Sequence, residues 1–484
     1  MDNSRRNCLC GLGGLAVGGA VAALVGTGGS IAQAAAPAKR FEQVNGEFGW
    51  KPHKLDPKEC AKVAYEGYWY KGYACGYGAF YSIIGLLGEY DALPALKHAA
   101  GDPVESSEIV SENGHGCGHN LLGAGALGAA VAVKDYMQAH GLKGTIRYYG
   151  CPAEEAGWGK MFLARDGYFD DLDACYTWHP GVGNMVQGTS SLANMCAFFT
   201  FKGRTSHAAA SPHLGRSALD ACELMNVGVN YLREHVIPEA RIHYAYQDVG
   251  GAAPNVVQDH AQLKYFIRAP KITQVLELIE RVNDVARGAA LMTGTELEIQ
   301  TAAGLCDYQP NDVLSQLLCD CLMETGAPEF DQADYDLARK FWDDYSDAEI
   351  ESSLANIKGV APDEVYEEVR KSPLTEYIAP YKHIDYAMPG STDVGDVSYC
   401  TPTAQLGTCC WANGTPGHTW QVAAQDGCSI GHKGMIAASK ALALAVIRTM
   451  EDPELLKKAH EEYVKTTGGK YICPVPPETV PLFD

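Results

Sequence analysis

Positive charge is what the chain has least of: 38 lysines and arginines stand against 59 aspartates and glutamates in 484 residues, a formal net charge of -21. That surplus repels phosphate backbones and anionic lipid surfaces, which excludes nucleic acid as a partner and obliges any small anionic substrate to find a local basic device. Seventeen cysteines are present, yet no ferredoxin-like C-x-x-C-x-x-C run occurs among them, which counts against an iron–sulfur protein. There is no internal repeat, and low complexity is confined to the N-terminus, so solenoids and arrays are excluded. Beyond the N-terminal run, no stretch reads as apolar and long enough to span a bilayer.

What is present begins with the N-terminus. Ser4, Arg5, Arg6 and Asn7 precede an uncharged Gly/Ala/Val/Leu run that ends on Ala32, Gln33, Ala34, Ala35 and Ala36. This is the form of a twin-arginine export signal with an A-x-A cleavage site, assigned to residues 1–34. An uncleaved anchor is the alternative, since the run from Asn7 to Ala36 is long enough to cross a bilayer. Eight glycines between Gly11 and Gly29 make the run weakly apolar and favour cleavage. The mature protein is therefore expected in the periplasm, on the cell surface or outside the cell. An oxidising compartment ordinarily suggests disulfides, but the cysteine count by itself fixes neither disulfides nor metal.

At 484 residues and 46% hydrophobic, the chain exceeds the roughly 250–300 residues that one core usually serves, so two domains are expected. Ser82 to Leu87, leading into Glu89-Tyr90-Asp91, reads as a buried element, and Asn120 to Lys134 has helical spacing. Short apolar runs then alternate with helical ones: Thr145 to Cys151 as a strand, Gly159 to Asp166 as a helix, Asp173 to Trp178 as a strand. Such alternation implies a mostly parallel sheet. Near Ser190 the pattern changes to strands at Leu192 to Phe201, Gln262 to Arg268 and Glu296 to Thr301, with helices at Ser217 to Glu234 and Ile272 to Leu291. From Asn311 the chain is acidic and helical until Pro389, followed by a strand at Ala404 to Cys410 and an amphipathic helix from Ser429 to Met450. The fold class is therefore α/β, a mostly parallel-sheet domain (residues 35–188 and 304–484) interrupted by a smaller α+β domain (189–303).

The segment His115-Gly116-Cys117-Gly118-His119 sets two metal donors, Cys117 and His119, two residues apart among glycines that let the backbone turn tightly. The same residues could equally be a glycine-rich loop capping the Asn120 helix, with Cys117 buried as a small hydrophobe. Further donors fall after expected strands: Glu154 and Glu155, His179, and His418. Ligand sites of open α/β sheets gather at the carboxyl ends of strands, and adjacent carboxylates divide naturally into one that coordinates and one that moves a proton. A solvated acidic loop is the plainer account of Glu154 and Glu155.

The strings EYDALPAL, GHGCGHNLLGAG, PAEEAGWGKMFL, WHPG, GRTSHAAASPHLGRSALDA, GGAAPNVVQDHAQLKYFIRA, GSTDVGDVS and GHTWQV, in order between Gly88 and Arg448, resemble the dinuclear metallopeptidase family of aminoacylases, carboxypeptidase G-type enzymes and auxin-conjugate amidohydrolases. They are most similar to its aminobenzoyl-glutamate utilization protein B branch. The resemblance implies metal ligation by Cys117, His119, Glu155, His179 and His418, with His432 a structural rival for the last place, and Glu154 as general base. It further implies that Asp91 orients a ligand, and that the inserted domain is a lid or dimerisation domain. From that lid, His207 would stabilise the oxyanion in an active site, often the partner subunit's, while Asn255 and Arg268 hold a substrate carboxylate. Packing within the lid is the alternative for Arg268, and a solvent-facing loop position for His207.

The activity so implied is hydrolysis of the amide bond of N-acyl amino acids or small peptides. Two divalent ions, zinc or manganese, typically about 3.5–4 Å apart, would lower the pKa of a water towards roughly 7. A homodimer is the expected assembly. Between Gly46 and Leu87 the chain departs from the family and carries Cys60 and the string YKGYACGYGAFYSII, loosely similar to cysteine-bearing N-terminal segments of exported redox proteins. Two rival readings remain: an exported redox or iron–sulfur protein built on Cys60, Cys75, Cys319, Cys321, Cys409 and Cys410, and a catalytically silent acyl-amino-acid binder of the same fold.

Overall fold

A computed structural model describes residues 81–105 and 112–481. The expected export signal, Cys60, Cys75 and the atypical segment as far as Phe80 lie outside the described residues. The chain opens with β1 (Ser82–Glu89), in which every position is buried. After a loop comes α1 (His119–His140), then β2 (Gly144–Cys151), α2 (Gly159–Arg165), β3 (Ala174–Gly181) and the short β4 (Met185–Val186) and β5 (Thr189–Ser191). β1 pairs in parallel with β2 on one side and β3 on the other. A strand held between parallel neighbours and covered on both faces reads as a continuous apolar run rather than an alternating one, and Ile83, Ile84, Leu86 and Leu87 have that form.

A second sheet comes next. It contains β6 (Ala193–Lys202), α3 (Ala218–Leu232), β7 (Arg241–Asp248), β8 (His260–Ala269), α4 (Ile272–Thr293) and β9 (Glu296–Leu305), its strands antiparallel in the order β7-β8-β6-β9. Here the two-residue period is plain: Ala261, Leu263, Tyr265, Ile267 and Ala269 of β8 are buried while the intervening side chains are not. Their buried face shares a core with Val275, Ile279 and Val282 of α4 and Cys222, Met225 and Val229 of α3, each large aliphatic contributing about 1.5–3 kcal/mol by leaving water. The Ser217 hydroxyl accepts from the Asp220 N–H and so starts α3.

The chain then returns through α5 (Asp312–Thr325), α6 (Gln332–Trp342), α7 (Asp347–Ser353), α8 (Ala355–Lys358) and α9 (Asp363–Val369). Next come β10 (Ile384–Met388), paired with β5, and α10 (Val394–Ser398). β11 (Thr403–Cys409) lies parallel to β3, and α11 (Trp420–Asp426), α12 (Ser429–Glu451) and α13 (Pro453–Thr467) complete the order. The first sheet is thus β2-β1-β3-β11-β4, parallel except for β4. This is the expected α/β class, a mostly parallel sheet with a smaller α+β unit set into the chain.

Two sequence expectations need correcting. By length and composition α12 could cross a membrane, although no stretch beyond the N-terminus was expected to. In the fold, Ala438, Ala441, Leu442, Ala445 and Val446 of α12 share the core of the first sheet with α1 and α5. And β7, absent from the sequence reading, is a strand: seven of its eight positions are exposed, so its sequence carries no apolar run to announce it.

Candidate metal centre

Because β1, β2, β3 and β11 run parallel and in register, their carboxyl ends share one edge: Glu89 lies opposite Cys151, and Gly407 opposite His179. Each end delivers a donor. β1 finishes on Glu89, with Asp91 just beyond; Glu154 and Glu155 come directly after β2; His179 sits within β3, which runs past Trp178 to Gly181. His418, in the loop before α11, has a left-handed backbone (φ 58), a conformation costly for a residue with a Cβ and concentrated at functional sites. Its backbone N–H donates to the Gly116 carbonyl at 2.9 Å, tying this loop to the glycine loop.

The two readings of GHGCGH turn out to coexist. Gly118 is the N-cap of α1 with φ 76, and a Cβ there would come within 2.6 Å of Pro180. Only glycine combines that backbone with that proximity. The loop is therefore a helix cap, and by capping it delivers Cys117 and His119 to the sheet edge.

The donors converge. Cys117 Sγ lies 3.5 Å from His179 Nε2, His119 Nε2 is 3.3 Å from Glu89 Oε2, and Glu155 Oε1 is 3.4 Å from His418 Nε2 and 4.0 Å from His119 Nε2. Three triads have donor atoms mutually within 4.8 Å: Cys117, His119 and His179; Cys117, Glu155 and His418; and Glu89, His119 and Glu154. All five residues expected as ligands are brought together, with Glu154 beside them. Asp91 joins two of the parts, Oδ1 to His119 Nδ1 at 2.9 Å while Oδ2 accepts the Glu155 backbone N–H at 2.9 Å. With Nδ1 so engaged, His119 presents Nε2 to the cluster.

Electrostatics gives the cluster a polarity. Burial raises the Glu154 carboxyl well above the ordinary carboxylate range, and the negative charges of Glu89 and Asp393 add to it. Burial likewise pushes the Cys117 thiol up, reinforced by Glu155 and Glu154. Burial would raise Asp91 too, but its bonds from His119 and the Glu155 N–H hold it below its usual value. A pocket that drives thiol and carboxyl towards their neutral forms is one in which a bound cation would do the opposite. The donor set fits such an ion on a second count: His119 Nε2 and Glu155 Oε1 are buried and without a hydrogen-bond partner, an arrangement costly unless something occupies the space they face. Cysteine thiolate, imidazole and carboxylate together suit a borderline divalent ion.

Behind the cluster lies a feature that no role was assigned to from sequence. Lys160, on α2 and fully buried, is 2.7 Å from Glu89 Oε1 and 2.5 Å from Asp393 Oδ1; Asp393 Oδ2 also accepts the Lys160 backbone N–H at 2.8 Å. Glu89 is held below its ordinary pKa because Lys160, His119 and His179 outweigh its burial. Glu89, Lys160 and Asp393 all fall within the strings that carried the resemblance, which was the available signal.

The three lid residues stand apart from the cluster. His207 is exposed, its Nδ1 accepting the backbone N–H groups of Ala209 and Ala210, and it bridges to Val256 next to the exposed Asn255. Arg268 is half-buried and donates from Nη1 to Ser391 Oγ, in the loop after β10, at 3.0 Å, with Nε buried and unpartnered. Among the described residues no hydrogen bond or ion pair joins any of them to the metal donors.

Residues 85–419 match peptidase family M20/M25/M40. The chain belongs to that family. Within it, the chain is 43% identical to the B subunit of the p-aminobenzoyl-glutamate hydrolase of Escherichia coli K12 over 413 residues, 84% of this chain and 86% of that protein. A solved protein of methicillin-resistant Staphylococcus aureus described as an aminohydrolase shares the fold, with TM-score 0.51 and 14% identity, covering 77% of this chain and 83% of that one. Over 95 residues the M20 chain is also 63% identical to a split-Soret cytochrome c of Desulfovibrio desulfuricans, 19% of this chain and 34% of that protein. Among the described residues Cys319, Cys321, Cys409 and Cys410 are free thiols and join no metal-donor triad.

Proposed function

We propose that this M20 hydrolase is an exported amidohydrolase that uses two divalent ions, zinc or manganese, to cleave N-acyl amino acids of the p-aminobenzoyl-glutamate kind. The observation that carries the reading is the convergence of Cys117, His119, Glu155, His179 and His418 on one sheet edge with Glu154 beside them. The likeness to the B subunit of p-aminobenzoyl-glutamate hydrolase supports the substrate class. Bound divalent ions supply a Lewis acid for the amide carbonyl and acidify water at neutral pH.

The rest falls to the chain's own side chains. Asp91 fixes the tautomer and direction of His119. Glu154 accepts a proton from the attacking water and returns it to the departing nitrogen as the C–N bond breaks, so that water is consumed and an acid and an amine are released. His207 is exposed and makes no hydrogen bond or ion pair with the described residues of its own chain's cluster, which supports a homodimer in which the partner's copy faces the oxyanion. Asn255 and Arg268 would hold the substrate carboxylate, the latter with the unpartnered edge of its guanidinium. The Ser4-Arg5-Arg6-Asn7 start with the uncharged run behind it, read as a twin-arginine signal at 1–34, supports export. The 95-residue likeness to a split-Soret cytochrome c favours a second, redox reading, which a purified protein without visible absorbance would eliminate.

Metal analysis of the purified mature protein, combined with hydrolysis of N-acyl amino acids before and after chelation, tests the proposal. Two divalent ions per chain, and a Glu154→Gln variant that keeps them while losing hydrolysis about 10²–10⁴-fold, are expected. A protein that neither retains nor takes up divalent metal would sink it.

A further inference from the structure

Two non-glycine residues with a left-handed backbone bracket the Glu154-Glu155 pair: Ala153 at φ 58 and Trp158 at φ 51. Such a backbone is costly for a residue with a Cβ, most of all a bulky one, and it persists only where its surroundings hold it. The loop is closed at its neck. The Gly157 N–H donates to the Ala153 carbonyl at 2.9 Å, and a Cβ on Gly159 would run into the Pro152 carbonyl. Glu154 and Glu155 therefore ride on a short closed loop after β2, and that loop moves as a unit with Trp158.

Beyond its own helix α2, what Trp158 packs against is the inserted domain. It is buried in one apolar core with Cys196 of β6 and with Ala303 and Leu305 of β9, and its ring centroid stands 5.7 Å from that of Phe266 on β8, within the contact range of aromatic pairs. On β8, Tyr265 and Ile267 face α3 and α4, so Phe266 and Arg268 share the opposite face. The Arg268 guanidinium lies 5.8 Å from the Phe266 ring, close enough for the ring to attract its charge. A series of contacts thus runs from Arg268 through Phe266 and Trp158 to the loop of Glu154.

We infer that Trp158 is a positioning residue of the hydrolase, through which a substrate carboxylate seated on Arg268 sets the place of Glu154 and Glu155, so that the carboxylate is felt in turnover as well as in binding. The inference rests on the amidohydrolase reading and on the carboxylate role of Arg268. Binding energy from a part of the substrate remote from the scissile bond raises kcat only when it is spent on placing the reacting groups, and misplacing such a group by about 1 Å costs about 10²-fold. Without a path of this kind the carboxylate would lower KM alone.

The test gives the metal-loaded protein 4-aminobenzoyl-L-glutamate and N-propyl-4-aminobenzamide, which has the same acyl group and amide but no carboxylate. In the wild type, loss of the carboxylates should lower kcat at least about tenfold, besides raising KM. Trp158→Leu should lower kcat on the glutamate substrate by a similar factor, leave its KM within about threefold because Arg268 is untouched, and bring the two kcat values within about threefold of each other. Phe266→Leu, which opens the same contact from the lid side without touching the loop, should do the same. Trp158→Phe, which keeps an aromatic neighbour for Phe266, should recover most of the loss, with metal content and circular dichroism verifying that each variant is folded. A wild-type kcat that ignores the carboxylates overturns the inference. So does a loss that falls equally on both substrates in both leucine variants, which is what loosened packing alone produces. If the wild type hydrolyses neither substrate, the amidohydrolase reading fails instead, and the coupling is judged by deuterium exchange: N-acetyl-L-glutamate should slow exchange of residues 153–158 in the wild type and not in Phe266→Leu. Equal protection in both proteins, or none in either, then refutes it.

Discussion

Replacing Lys160 by methionine keeps most of the buried stem and deletes the ammonium that Glu89 and Asp393 share. Lys160 and Asp393 are fully buried and Glu89 is 2% exposed, so water cannot enter to replace the lost contacts at 2.7 and 2.5 Å. Removing one partner of a buried ion pair costs about 3–5 kcal/mol, because the remaining charge is stranded. Some relief is built in: Glu89 keeps His119 at 3.3 Å, and Asp393 keeps the backbone N–H of residue 160. The loss should therefore stay within that range rather than double. In urea, with a slope of roughly 3 kcal/mol/M, about 4 kcal/mol moves the unfolding midpoint down by a little over about 1 M. Circular dichroism and tryptophan fluorescence, followed together, check that one transition is being read. Adding Glu89→Gln and Asp393→Asn to Lys160→Met should recover at least half of the loss, since neutral amides carry no stranded charge. A midpoint for Lys160→Met within about 0.3 M of wild type would show that the carboxylates do not depend on Lys160, and would refute the argument.

Two further outcomes are expected on the same reasoning. Asp91→Asn should weaken metal binding about 10–100-fold in competition with a chromophoric chelator, because the carboxylate no longer holds His119 and the Glu155 backbone in place; an unchanged affinity would remove Asp91 from the site. Burial pushes Asp396 up to about 7, in spite of hydrogen bonds from Tyr471 and the Cys306 N–H. A carboxyl whose folded pKa lies above its unfolded one contributes stability that is complete below about pH 4 and is lost as pH rises through 7. Melting temperature should accordingly fall between pH 5 and 8, and Asp396→Asn should flatten that fall; a parallel decline in both proteins contradicts the assignment.

What could be read in the sequence was whatever local chemistry marks. Cys117 and His119 announce themselves by spacing, β1 by an unbroken apolar run, and α4 by its 3.6-residue period. The strand expected from Asp173 to Trp178 runs on to Gly181 through Pro180, alongside β11, where β4 covers only Leu406 and Gly407 on the far side. β7 was missed because its one buried residue, Ile242, gives no pattern. Lys160 and Asp393 lie more than two hundred residues apart, and nothing local in either says that a buried lysine needs a distant acid. The cavity that opens beside His179 was beyond sequence reading for the same reason, its walls being assembled from β4, α8, β10 and β11.

The shared edge of β1, β2, β3 and β11 also orders events in time. Parallel strands pair only after their crossovers have formed, and contacts between distant segments are the slow ones to close. Glu89 enters the cluster from the first described strand and His418 from the loop beyond the last. A chain still emerging from the ribosome with His418 unsynthesised thus holds an incomplete set of donors, however well its first strands have folded. Metal capture becomes a stamp of finished synthesis, and an ion seated there fastens the glycine loop before α1 to the loop before α11, segments about three hundred residues apart in the chain.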